Sequence, residues 1–194
     1  MLARALTTIS AEDYLRWERQ AEGRSEYHAG QIFAMAGASR RHNRIVTNLS
    51  SALNVQLQSR PCNNYSSDMR VRIGNAERYV YPDIVATCGR EEFEDDQQDV
   101  LLNPLLILEV LSPSTEAYDR GNKFRDYQTI PSLREYVLVS QDRRCFEVYR
   151  KQPDGRWLVE LLSSLPLTLR LESIDCVLAE AEVYAKVDVE SAAD

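Results

Sequence analysis

PLLILEVLSPSTEAYDRGNKFRDY, residues 104–127, decides how the rest of this chain is read. Leu105, Leu106, Ile107 and Leu108 form a nearly unbroken apolar run, the pattern of a strand covered on both faces. Ser112 and Ser114 flank Pro113 and read as a turn and a helix N-cap, and the residues that follow read as a helix. Between the two lies Glu109. A carboxylate at the end of a buried strand has to be paired or metal-bound to be tolerated there.

Outward from this core, the same alternation of element types continues. SAEDYLRWERQAE reads as a first helix, with Ser10 as its N-cap and Asp13 in its first turn. Residues 24–35 alternate around Gly30 and predict a hairpin turning at Ala29-Gly30. The strongest helix signal follows. Ile45, Leu49, Leu53 and Leu57 recur every fourth residue, with Ser39 as N-cap and Pro61 as the stop. MRVRIG alternates. RYVYPDIVATC is a second strand whose Pro82 demands a break, a bulge or an edge. EYVLVS and CFEVYRK form a hairpin, WLVELLS and LTLRL add weaker strands, and IDCVLAEAEVYAKV is helix-like. This order predicts one α/β (α+β) domain over residues 1–194, with its core at about 10–185 and a mixed β-sheet flanked by helices.

Composition narrows the function classes. Net charge is −7, which argues mildly against a nucleic-acid partner. The charge is uneven, however. Arginines 40, 41, 44, 60, 70, 72 and 78 face only Asp68 and Glu77 in the stretch 40–78, whereas 91–99 (EEFEDDQQD) carries six acids and no base. The apolar part of MLARALTTIS is too short for a signal peptide, and no run approaches a membrane span, so the default compartment is the cytoplasm. Cys62, Cys88, Cys145 and Cys176 stand far apart without zinc spacing and read as reduced, mostly buried thiols. There is no GxSxG nucleophile elbow and no glycine-rich phosphate loop.

Asp83 follows Pro82 at the start of the apolar IVAT. If its strand neighbours that of Glu109, the two carboxylates converge at one sheet edge. With a backbone carbonyl they make a hard-oxygen site suited to Mg²⁺ or Mn²⁺. The alternative is that each acid pairs with a nearby arginine or caps a loop.

These residues carry a resemblance. Pro82-Asp83, then Glu109-Val110-Leu111, resembles the PD-(D/E)XK nuclease superfamily, and more closely its bacterial branch of Uma-type restriction-endonuclease-like proteins. The matching stretches are SEYHAGQIFAMAGASRRHNRI, YPDIVATC, PLLILEVLSPSTEAYDRGNKFRDY and IPSLREYVLVSQD. The resemblance implies a restriction-endonuclease-like fold and a metal-dependent endonuclease acting on DNA. Asp83 and Glu109 would be metal ligands, the Val110 carbonyl would complete the inner shell, and Mg²⁺ (or Mn²⁺) would be the cofactor. The superfamily's lysine belongs two residues after the glutamate, where Leu111 stands. The replacement is Lys123 on the following helix, where it shares a face with Asp119; its alternative is a solvated lysine paired with that acid.

Glu26, in SEYHAGQI, matches an acid of the family and is a further catalytic candidate, with pairing to Arg24 or Arg40 as its alternative. Arg40, Arg41, His42 and Arg44 at the start of the long helix are candidates for binding nucleic acid, although a lone histidine is more often structural. His28 has a weaker case, and Tyr127 reads as packing. A catalytically inactive binding or interaction module on the same fold is the competing reading. DNA is the expected partner, without a membrane. A homodimer would use the 131–150 hairpin or the C-terminal helix.

Overall fold

The computed structural model describes residues 8–74, 77–164 and 166–189. Helix α1 (Ala11–Glu18) is capped by Ser10, whose side chain accepts from Asp13 N. The hairpin of β1 (Ser25–His28) and β2 (Gln31–Ala34) follows. Ala29 and Gly30 both have positive φ (45° and 91°), the two-residue turn that suits a right-twisted hairpin. Helix α2 (Arg40–Leu57) starts at Ser39, which caps His42 N. Then come β3 (Cys62–Ser66), β4 (Arg70–Ile73), β5 (Arg78–Val80), β6 (Ile84–Cys88), β7 (Val100–Leu101) and β8 (Leu106–Leu111).

Next, α3 (Glu116–Tyr118), a π-helical turn (Asp119–Lys123) and α4 (Phe124–Tyr127) run on without a break. Strands β9 (Glu135–Ser140), β10 (Phe146–Lys151) and β11 (Trp157–Leu162) lead to β12 (Thr168–Leu171), β13 (Cys176–Ala179) and α5 (Glu180–Val183).

The central sheet has six strands in the order β11-β10-β9-β8-β6-β3, and β8 and β9 are its parallel pair. A second sheet, β2-β1-β5-β4-β7, holds the hairpin. Pro82 marks the crossing between them. Proline cannot donate to a ladder, so the predicted single strand divides into β5 in one sheet and β6 in the other.

Strand β8 is buried along its whole length. Leu106, Leu108 and Val110 join Ile45, Leu49, Leu53 and Leu57 of α2 in one core. Ile107 and Leu111 join Tyr127, Tyr136 and Leu138 in another. Each such aliphatic side chain contributes about 1.5–3 kcal/mol on burial. Glu109 lies between Ile107 and Leu111 on the second face, as the two-residue period requires.

Several expectations are corrected. The segment after Ile174 is not a helix. Cys176 and Leu178 alternate inward, pairing opposite Leu171 and Leu169 of β12, and only the single turn α5 follows. The period of two wins over the helix-like composition. Cys62 and Cys88 are not reduced thiols but a disulfide, because the β3–β6 register places them directly opposite each other. Cys145 and Cys176 are free and buried, as expected. Strand β3 (CNNYS) has no alternation to betray it, and only its pairing with β6 makes it a strand. The start of the chain, with its short apolar stretch, lies largely outside the described residues. Among the described residues no helix is long and apolar enough to cross a membrane.

Candidate active site

Ile84 pairs with Leu108 and Val85 with Ile107 across β6 and β8. One step further along this antiparallel register, Asp83 stands opposite Glu109. Their hydrogen bonds interlock. Val110 N donates to Asp83 Oδ2 at 2.7 Å, and Asp83 N lies 3.4 Å from Glu109 Oε2. The β-sheet thus brings together two carboxylates that are far apart in the chain, as neighbouring strands require.

Lys123 closes the site from above. It is 7% exposed, so it is buried rather than solvated, although the expected pairing with Asp119 is present. Its Nζ lies 2.8 Å from Glu109 Oε1, 3.7 Å from Asp119 Oδ1 and 3.9 Å from Glu26 Oε1. Leu111, at the position where the superfamily has lysine, is packed in the apolar core. The helix crossing that core face supplies the cation instead. The π-helical turn carries both Asp119 and Lys123, and such turns recur at functional sites.

Glu26 takes neither arginine partner. Arg24 pairs with Asp68 and Arg40 approaches Asp188, while Glu26 Oε1 accepts from Tyr81 N at 3.3 Å. His42 is placed by the Ser39 cap, with Nε2 at 3.0 Å from Asp83 Oδ2. Its Nδ1 is buried without a hydrogen-bond partner among the described residues. Tyr127, expected to serve packing alone, is both fully buried and engaged: its hydroxyl donates to Glu109 Oε1 at 2.8 Å. Its place one helical turn after Lys123 was the signal for this contact. His28 lies against Arg78, outside the carboxylate cluster.

The electrostatics follow from burial. Burial pushes the Glu109 carboxyl up to about 8, further than Lys123 pulls it down, and the charges of Asp83 and Asp119 add to the rise. Asp119 is raised too, chiefly by burial. Lys123 is held above the ordinary lysine range: burial opposes its charge, but Glu109, Glu26 and Asp119 outweigh it. Three acids therefore share one ammonium group, with Asp83 beside them on His42, and the site is short of positive charge.

A divalent cation fits this donor set. Asp83 Oδ1 takes no hydrogen bond from the described residues, and Glu109 Oε2 has only its long contact with Asp83 N. Hard carboxylate oxygens suit Mg²⁺ or Mn²⁺. Among the described residues no three His, Cys, Asp or Glu side chains are grouped to hold an ion unaided. Two carboxylates would need a backbone carbonyl and water to complete the sphere, the usual habit of Mg²⁺.

Three of the six acids of the loop 91–99 are paired with arginines within the fold. Arg19 binds Asp95 and Asp99, Arg70 binds Asp99, and Arg72 binds Glu94. Arg70, Arg72 and Arg78 are thus spent internally, Arg78 on Asp126. Arg40, Arg41 and Arg44 remain exposed at the start of α2, with only loose acidic contacts from Asp188 and Asp142.

The Uma2 family model, described as "Putative restriction endonuclease", matches residues 11–179. Two proteins of Synechocystis sp. (strain ATCC 27184 / PCC 6803 / Kazusa) are similar along most of their length. "Uncharacterized protein slr1290" is 39% identical over 91% of both chains. "Uncharacterized protein sll1609" is 40% identical over 82% of this chain and 90% of its own. The fold matches that of a crystal structure from Anabaena variabilis ATCC 29413, described as "a putative nuclease belonging to DUF820". The TM-score is 0.74 at 19% identity, covering 91% of this chain and 98% of that one.

Proposed function

This chain belongs to the Uma2 family of the restriction-endonuclease-like superfamily, and from that premise we propose that it is a metal-dependent endonuclease hydrolysing DNA phosphodiester bonds. The observation that carries this reading is the convergence of Asp83, Glu109 and a buried Lys123 at one sheet end. A fold has little reason to bury an ammonium group among three acids unless the cluster works, because removing such charges from water is costly. The fold neighbour, described as "a putative nuclease", supports the same reading.

Asp83, Glu109 and the carbonyl of Val110 would hold Mg²⁺ or Mn²⁺. When bound, the ion would acidify a water and neutralise charge on the scissile phosphate. His42 steadies Asp83 through its Nε2. Lys123, backed by Glu26 and Asp119, donates to the attacking water or to the phosphate oxygens, the task Leu111 cannot perform. The water oxygen bonds to phosphorus, one ester P–O bond breaks, and the departing oxygen takes a proton. Arg40, Arg41 and Arg44 hold flanking phosphates near the positive end of α2.

The test is plasmid nicking and cleavage with Mg²⁺ and Mn²⁺. Wild type should cut only with metal, and Asp83→Ala and Glu109→Ala should not cut while remaining folded. Full-rate cleavage by Asp83→Ala would sink the assignment. No cleavage by folded wild type would leave an inactive binding module, and metal-dependent melting would then show whether the carboxylates still take an ion.

A further inference from the structure

The hairpin register places an exposed aromatic beside the candidate site. Glu26 of β1 pairs with Phe33 of β2, and directly opposed residues of an antiparallel pair project from the same face. That face is the one on which Glu26 approaches Lys123. Phe33 is nevertheless 49% exposed, because β2 is the outermost strand and all four of its residues face water.

A second aromatic reaches the same ground from the helix. Tyr118 is 37% exposed. Its hydroxyl accepts from Arg78 Nη1 at 3.1 Å, and the same guanidinium contacts His28, which shares the Glu26 face of β1. Burial first, and then the charge of Glu26, raise the Tyr118 phenol, which agrees with this proximity.

Large apolar rings left in water at the rim of a polar cluster ask for a partner with flat faces. The surroundings choose which partner. A five-residue connection, 35–39, leads from β2 to the exposed Arg40, Arg41 and Arg44. That connection keeps Phe33 within a few residues of these cations in the chain, and rings combined with cations bind unpaired nucleotides, the rings taking bases and the arginines taking phosphates. An intact duplex hides its base faces in the stack, so it cannot use the rings.

We propose that Phe33 and Tyr118 form a stacking platform for an unpaired base, so that the substrate of this site is single-stranded or locally opened nucleic acid. This rests on the nuclease reading and narrows it. The platform is tolerant of sequence, since every base has a π-face.

The experiment measures binding by the full chain in EDTA, where no cleavage occurs. A labelled single-stranded oligonucleotide carrying a fluorescent adenine analogue is compared with its duplex. Wild type should prefer the single strand and quench the analogue. Phe33→Ala and Tyr118→Ala should each weaken single-strand binding about tenfold, with duplex binding unchanged. Phe33→Trp and Tyr118→Phe keep a ring and should bind as wild type, which separates stacking from misfolding. Equal single-strand binding by the alanine variants would overturn the platform and leave the nuclease reading intact if duplex is still bound and cut. If Phe33→Ala instead splits a dimer without altering binding, the ring is a contact between copies and the proposal fails. If wild type neither binds nor cuts any nucleic acid, the nuclease reading fails and takes the platform with it.

Discussion

Lys123 and Glu109 face each other at 2.8 Å across the junction between β8 and the π-helical turn, each buried and each the other's nearest counter-charge. Leu111, on the same face of the strand as Glu109, fills the apolar core instead of carrying the cation. The cation that meets Glu109 thus comes from the helix and not from the carboxylate's own strand.

Removing the lysine should therefore cost far more than deleting a surface charge. Above about pH 8, where Glu109 is ionised, Lys123→Ala leaves Glu109, Asp119 and Glu26 uncompensated, and urea unfolding should show a loss of about 3–5 kcal/mol. A loss within about 0.5 kcal/mol, the range of an ordinary surface site, would contradict the buried pair. Tyr127→Phe, which removes one donor to Glu109, should cost about 1.5–3 kcal/mol under the same conditions.

Metal-free stability should fall as pH rises from about 5 to 8. The Glu109 carboxyl titrates near 8 in the folded protein, against roughly 4.3 when unfolded. Between those values the folded state holds a proton that the unfolded state has released, so raising pH through the window removes stability. Asp119 shifts in the same direction. Melting temperature should drop across this range, and Glu109→Gln should flatten the drop. A melting temperature that rises from pH 5 to 8 in wild type but not in Glu109→Gln would refute the assignment.

Nucleic-acid binding should depend on the exposed arginines and not on the internally paired ones. Arg40→Ala, Arg41→Ala and Arg44→Ala each neutralise one phosphate fewer. Each should therefore reduce the slope of log K against log salt by about 0.9 for duplex or about 0.7 for single strands. Arg72→Ala, which breaks the bond to Glu94, should leave the slope unchanged. Equal slopes in all four variants would remove the start of α2 from the interface.

The Cys62–Cys88 disulfide joins strands that are already paired, so its removal should cost toward the low end of the usual range, about 2 kcal/mol. Thermal unfolding with and without reductant, alongside Cys62→Ser, measures this. A reductant effect that persists in Cys62→Ser would exclude the pair as its source, since Cys145 and Cys176 are buried and free.

The sequence by itself determined the elements whose periodicity is strong and local. The four-residue stripe of Ile45, Leu49, Leu53 and Leu57, the Ser39 cap, the Ala29-Gly30 turn and the apolar run before Glu109 all depend on neighbours within a few residues. Glu109 was conspicuous for the same reason, as a charge where the local pattern demands burial. Only the tertiary structure decided which strands lie side by side. That register sets Asp83 opposite Glu109 and Cys62 opposite Cys88. It also turned the helix-like Cys176–Ala179 into a strand by giving it β12 to pair with. Cross-strand pairing is a contact between distant segments, so no local spacing encodes it. The alternation that would betray a strand is absent where, as in β3, the edge is polar.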